Sequence, residues 1–111
     1  MFATPAAWYA AIPGVAATGP FNPHFVMDIG LAFLASGVGL ILGGTTWRHA
    51  ASFAIAGAAF PLLHAGLHVM GLLQHGLPHD PDTLWSELMG VIGISVAGAA
   101  LAWLRNRHST V

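Results

Sequence analysis

The amino-acid sequence predicts an all-α integral membrane protein, a helical bundle of three transmembrane helices with a short N-terminal interfacial segment. Three observations carry that expectation. The 111 residues are 56% hydrophobic and only 6% charged, with mean hydropathy +0.72, whereas about a quarter of the residues in a soluble domain are charged. Three apolar runs are each long enough to cross a bilayer core. Small residues recur four apart along those runs, the pattern by which membrane helices approach closely. The chain forms one transmembrane domain over 1–111, with a segment at 1–23, spans at 24–44, 50–73 and 84–104, and a tail at 105–111.

The first 23 residues are broken by Pro13-Gly14, Gly19-Pro20 and Asn22-Pro23 and lack a basic start. They fit neither a signal peptide nor a span. Ala6 to Ile12 suits one or two helical turns in the interface, anchored by Trp8 and Tyr9. The first span begins at His24 or Phe25 and holds Asp28 near its start. Ala35, Gly39 and Gly43 form its small-residue ladder, and Asp28 lies ~20° from Ala35 on a helical wheel, on the side expected to pack.

The second span follows the turn Thr45 to His49 and contains Gly57 to His75, GAAFPLLHAGLHVMGLLQH. Pro61 removes the hydrogen bond to the Gly57 carbonyl and predicts a kink. His64, His68 and His75 fall within ~40° of one another on the wheel. A polar loop, HGLPHDPD, leads to the third span, with Asp82 or Thr83 expected as its N-cap. Ser86, Gly90, Gly93, Ala97 and Ala100 make the third ladder, bordered by Glu87.

Arg48, Arg105 and Arg107 fall on one side of a three-span topology. That side is expected to be the cytoplasm, which puts the protein in a bacterial inner membrane with its N-terminus outside and its C-terminus cytoplasmic. Trp8 and Trp85 then mark the outer boundary, Trp47 and Trp103 the inner one. Without cysteine, disulfides and thiol chemistry are excluded. Without a basic block, nucleic acid is not an expected partner.

The run Trp8 to Leu34 carries Pro13-Gly14-Val15, Thr18-Gly19-Pro20, Asn22-x-His24-Phe25 and Asp28-x-Gly30, and His64-x-x-x-His68 follows. Over about two thirds of its length the chain thereby resembles a group of small uncharacterised bacterial multi-span membrane proteins, DoxX-like in general build. Members of that group usually carry a further membrane helix before the Trp-Tyr pair, and this chain begins almost at that pair. The resemblance implies a fold and a habitat, and no reaction.

Seven histidines outnumber the three Lys+Arg and the four Asp+Glu. At ~1.5 Å rise per residue, His64 lies about 21 Å and His68 about 27 Å from the inner end of the second span, in a core roughly 30 Å thick. Asp28 and Glu87 sit about one turn into their spans from the same outer side. Ionisable groups at one membrane depth point to function. The sharpest reading is a metal-binding or redox-accessory site of Asp28, His64 and His68, with His24 and Glu87 as auxiliaries. Imidazole and carboxylate donors suit copper, zinc or iron, and Met27, Met70 and Met89 in the same layer tilt the choice towards copper. No glutamate follows His64, so this is not the HExxH of a zinc protease. The alternative reading is a non-catalytic structural or accessory subunit of a larger membrane complex, whose His/Asp residues are interhelical packing contacts. A proton relay, axial ligation of a haem or chlorophyll, and a carrier for a small apolar molecule stand behind these. No nucleophile is identified, so an enzyme is not expected. The ladders also lead us to expect a homo-oligomer or a place in a larger membrane complex, beside the lipid bilayer itself.

Overall fold

The structure, a computed structural model, describes residues 3–46 and 48–108, with the backbone alone at 106 and 108. Trp47 lies outside the described residues. Helix α1 spans Pro5–Ala11, and a 3₁₀ turn at Val15–Thr18 follows it. Helix α2 spans Pro23–Thr45 and α3 spans Ala50–His75. The third long helix is a composite of α4 (Pro81–Trp85), a π-helical stretch (Ser86–Gly93) and α5 (Ile94–His108). Three of these rods, Pro23–Thr45, Ala50–His75 and Pro81–Arg105, are long and apolar enough to cross a membrane.

Prolines and their caps set where the spans begin. Pro23 occupies the first turn of α2, where its missing N–H costs nothing, and the Asn22 side chain accepts from the Phe25 N–H at 3.2 Å. The third span uses the same device. Asp80, not Asp82 or Thr83, is the N-cap, because Pro81 takes the first helical position and Asp80 Oδ2 accepts from the Thr83 N–H at 2.8 Å. At the far end of α2 the Thr45 and Thr46 hydroxyls donate to the Ile41 and Leu42 carbonyls at 2.8 and 2.7 Å, so both side chains bond back to the last turn of their own helix. Helix α3 runs unbroken through Pro61 and stops at Gly76, whose φ of 83° suits glycine.

The chain buries its small residues and exposes its large ones. Ala50, Ala54, Ala58, Ala65 and Ala102 are buried, together with Ser36 and Ser95, while Leu63 is 74% and Leu73 82% exposed. That inversion is what a bundle in hydrocarbon requires, since leucine gains nothing by leaving lipid and close helix packing needs small side chains. Extents of 48 × 31 × 18 Å describe three rods lying almost side by side. Helix α3 is in the middle, with α2 on one flank and the third span on the other.

Contact between α2 and α3 is backbone to backbone. A Cβ on Gly57 would lie 2.5 Å from the Leu40 nitrogen and 2.7 Å from the Ser36 carbonyl oxygen; one on Gly43 would lie 2.7 Å from Ala54 Cβ. The packed stripe of α2 is therefore Ser36, Gly39 and Gly43, and Ala35 is exposed. The Ser36 hydroxyl donates to its own helix at Ala32 O, 2.9 Å away, so it packs as a small residue. On the third span the buried positions are Ser95 and Ala102, with Gly98 and Ala99 half-buried beside them, whereas Ala97 and Ala100 are exposed. A wheel turned at 100° per residue does not hold through the π stretch, where the bonds run from i to i+5.

Gly57→Leu should lower the melting temperature in detergent and cost about 1–3 kcal/mol through overpacking. Gly71→Leu should be near neutral, because a Cβ there meets nothing within 4 Å. Equal losses from the two would contradict the backbone contact.

Candidate functional site

The α2 and π-stretch walls do not pack against each other among the described residues. The space between them is a cavity of about 770 Å³ at the end of the bundle that carries the N-terminal segment. Phe25, Val26, Ile29 and Phe33 line it from α2, and His64 and His68 from α3. Ser86, Glu87, Gly90 and Val91 of the π stretch form the opposite wall. With i to i+5 winding, residues four and five apart share a face, which brings these four onto the cavity together. The N-terminal segment closes the remaining side. Trp8, Tyr9, Ile12, Gly14 and Pro20 all contribute to the lining.

That segment is held by contacts of its own. The Tyr9 hydroxyl donates to the Gly19 carbonyl, and its ring lies 5.2 Å from that of Phe21. Gly14 adopts φ 83°, and a Cβ there would approach Thr83 Cγ2 to 2.8 Å. Only glycine satisfies both the backbone and the contact. The Thr83 hydroxyl donates to Asp80 Oδ2 at 2.8 Å, so the N-cap of the third span also orients the methyl group that meets Gly14. These two donations from Thr83 hold the Asp80 carboxyl below the usual carboxylate range.

The polar groups of the cavity lie together on α3 and the third span. His68 Nδ1 and Glu87 Oε2 are 2.6 Å apart, with side chains 29% and 23% exposed. With Glu87 a carboxylate, Nδ1–H donates to it and Nε2 of His68 is left as an acceptor. The His64 ring is 4.7 Å from that of His68, stacks on Phe60 at 5.7 Å, and meets the edge of Phe33 at 5.5 Å. The cluster is therefore one bonded His–Glu pair and a second imidazole, set in aromatic walls.

Asp28 does not join it. His24 Nδ1 lies 2.8 Å from Asp28 Oδ2, one turn apart on α2, with side chains 86% and 57% exposed, and neither residue lines the cavity. The expectation that Asp28 faces the packed side is corrected by the position of the stripe. Ser36 is ~80° from Asp28 on the wheel, and Val26, Ile29 and Phe33 face α3 and the cavity instead. Met27, Met70 and Met89 are 37%, 49% and 48% exposed and lie outside the lining. His75 and His79 are also exposed, beyond the cavity. Of the five expected metal ligands the structure thus brings together His64, His68 and Glu87. Among the described residues no group of three or more His, Asp or Glu side chains is arranged as a ready metal cage.

Sequence reasoning missed the N-terminal wall. A usable signal was present: no charged side chain precedes Asp28, His24 aside, and so apolar a Pro/Gly-rich segment needs something to cover. No known protein family, curated protein or solved structure matches the chain, so the site is read from its own residues.

A double-mutant cycle on His68→Ala and Glu87→Ala should give a coupling of about 0.5–1.7 kcal/mol, the range of hydrogen bonds between membrane helices. The same cycle on His24 and Asp28 should give less. Reversed magnitudes would contradict the geometry. Lowering the Asp80 pKa on folding makes the carboxylate stabilising. Its contribution is complete above the ordinary value of 3.8 and is lost as the pH falls through the lower folded value. The stability difference between wild type and Asp80→Asn should therefore shrink on acidification below about pH 4. Parallel acid limbs in pH-dependent melts would contradict that role.

Proposed function

We propose that this membrane protein binds a small lipophilic molecule carrying a hydroxyl or carbonyl group, with His64, His68 and Glu87 meeting its polar end. What supports the reading most is the coincidence of one cavity with one polar cluster. The volume of about 770 Å³ falls within the 300–1,000 Å³ of small-molecule sites, which are mostly apolar with a few placed polar groups. Phe25, Phe33 and Trp8 supply flat apolar walls, and the bare Nε2 of His68 suits a ligand hydroxyl. A protonated His68 would serve a carbonyl equally well. The cavity belongs to the outer leaflet of a bacterial inner membrane in this proposal, because Arg48, Arg105 and Arg107 mark the other end as cytoplasmic. The protein is a binding or carrier module here, with no reaction assigned.

A second reading is favoured by one observation. A carboxylate on Nδ1 of His68, 2.6 Å away, is how an acid behind a histidine orients its ring toward a metal. Copper, zinc or iron would then sit on His64 and His68, with Glu87 as the orienting group and the cavity as its access route.

One titration separates the two. A variant with Trp47, Trp85 and Trp103 replaced by phenylalanine, so that Trp8 alone fluoresces, is reconstituted in nanodiscs and titrated with a long-chain alcohol, the matching ketone and the matching alkane. The polar ligands should bind about 2- to 10-fold tighter than the alkane, as one net hydrogen bond implies, and His68→Ala should remove the difference. Equal binding of all three contradicts the proposal. Stoichiometric metal in the wild type, lost in His64→Ala/His68→Ala, would select the second reading.

A further inference from the structure

The other end of the bundle holds a second hollow, on the far side of the Gly39–Gly57 contact from His68. Its volume is about 260 Å³, and Leu40, Gly43 and Gly44 of α2 form one wall. Gly98, Ala102 and Arg105 of α5 form another. Gly44 and Gly98 leave room that no neighbouring side chain fills: a Cβ on Gly44 meets nothing within 4 Å, and one on Gly98 only reaches ordinary contact with Leu40. The hollow is below the size of a whole small-molecule site and suits a single alkyl chain. At its mouth stands a half-buried cation, Arg105. Arg107, two residues on and so ~200° around the helix, lies over the Trp103 ring, 4.6 Å from its centroid. Arg48, in the turn between α2 and α3, completes the set of cations in the chain. The Asp and Glu side chains, Asp28, Asp80, Asp82 and Glu87, lie toward the opposite end.

We infer that this hollow binds one acyl chain of an anionic phospholipid, with the lipid phosphate held by Arg105. A guanidinium presents a planar fork of donors that matches phosphate oxygens in pairs. A basic groove between membrane helices, placed at the headgroup level and lined by no acidic side chain, attracts anionic lipid selectively. An apolar groove alone would accept any lipid tail; the charge at its mouth is what confers the choice. This site is independent of the cavity at the N-terminal end and of what that cavity binds.

The test is native mass spectrometry of the full chain released from mixed micelles holding equal amounts of phosphatidylglycerol and phosphatidylcholine with identical chains. The expected result is one phosphatidylglycerol retained at activation energies that strip phosphatidylcholine, with at least a fivefold preference. Gly44→Leu, whose Cβ meets open space beside the hollow, and Arg105→Gln should each abolish that preference, while Gly71→Leu leaves it intact. Circular dichroism and melting curves establish that each variant folds; if Gly44→Leu does not, Arg105→Gln against Arg105→Lys decides, the lysine retaining part of the preference. Equal retention of the two lipids overturns the inference. So does a preference that survives in Arg105→Gln, or one that depends on Arg48 instead.

Discussion

A polar side chain in the hydrocarbon layer must find a partner within the protein, and His68 finds Glu87. Their bond of 2.6 Å ties the middle helix to the third span. Apolar side chains between membrane helices have no reason to prefer one another over lipid, and a polar bond supplies one. Position matters as much as strength. The pair lines the cavity where α2 and the third span do not pack against each other, and it gives that space a polar floor.

The opposite end is organised by absence of side chains. Gly39, Gly43 and Gly57 bring the backbones of α2 and α3 into contact, and α5 closes against α3 through Ala102 and its neighbours. Helices pinned at one end and spaced at the other produce a wedge. The π stretch adds to this, because its wider winding turns Ser86, Glu87, Gly90 and Val91 onto the open side. Such segments are frequent at functional sites, where a local departure from α geometry re-aims side chains. Here it brings the carboxylate within reach of the histidine. The N-terminal segment then covers the wedge, held to the third span by Gly14 against Thr83.

Hydropathy and the small-residue spacing made the three spans legible, because bilayer thickness dictates their length and lipid dictates their composition. The pairing of His64 with His68 on one face was equally legible, since α3 keeps regular α winding over that turn. What failed was the inference from one helix to its neighbour. Ala35 and Ser36 are both small, and a wheel cannot say which of two adjacent small residues faces the partner; that single step moved Asp28 away from the site. Glu87 was visible only as an auxiliary because the π winding shifts its phase relative to Gly90 and Gly93. In the sequence Gly57 stands out only as the residue whose carbonyl loses its bond to Pro61, whereas its packing against Ser36 and Leu40 is a tertiary fact. Trp8 and Tyr9 were legible as aromatic residues at a membrane boundary, but their place in a cavity wall depends on the turns at Gly14 and Gly19.

Dipolar recoupling in solid-state NMR, on protein in lipid with ¹⁵N in the histidine rings and ¹³C in the glutamate carboxyl, reads the His68–Glu87 bond itself. Glutamate occurs once in the chain, at Glu87, so the carbon signal is unambiguous. A ring nitrogen 2.6 Å from a carboxylate oxygen should give strong dephasing of the Glu87 carboxyl, and that dephasing should be lost in His68→Ala while persisting in His64→Ala. An undephased carboxyl in the wild type, or dephasing that survives the loss of His68, would contradict the arrangement on which the cavity and its polar floor rest.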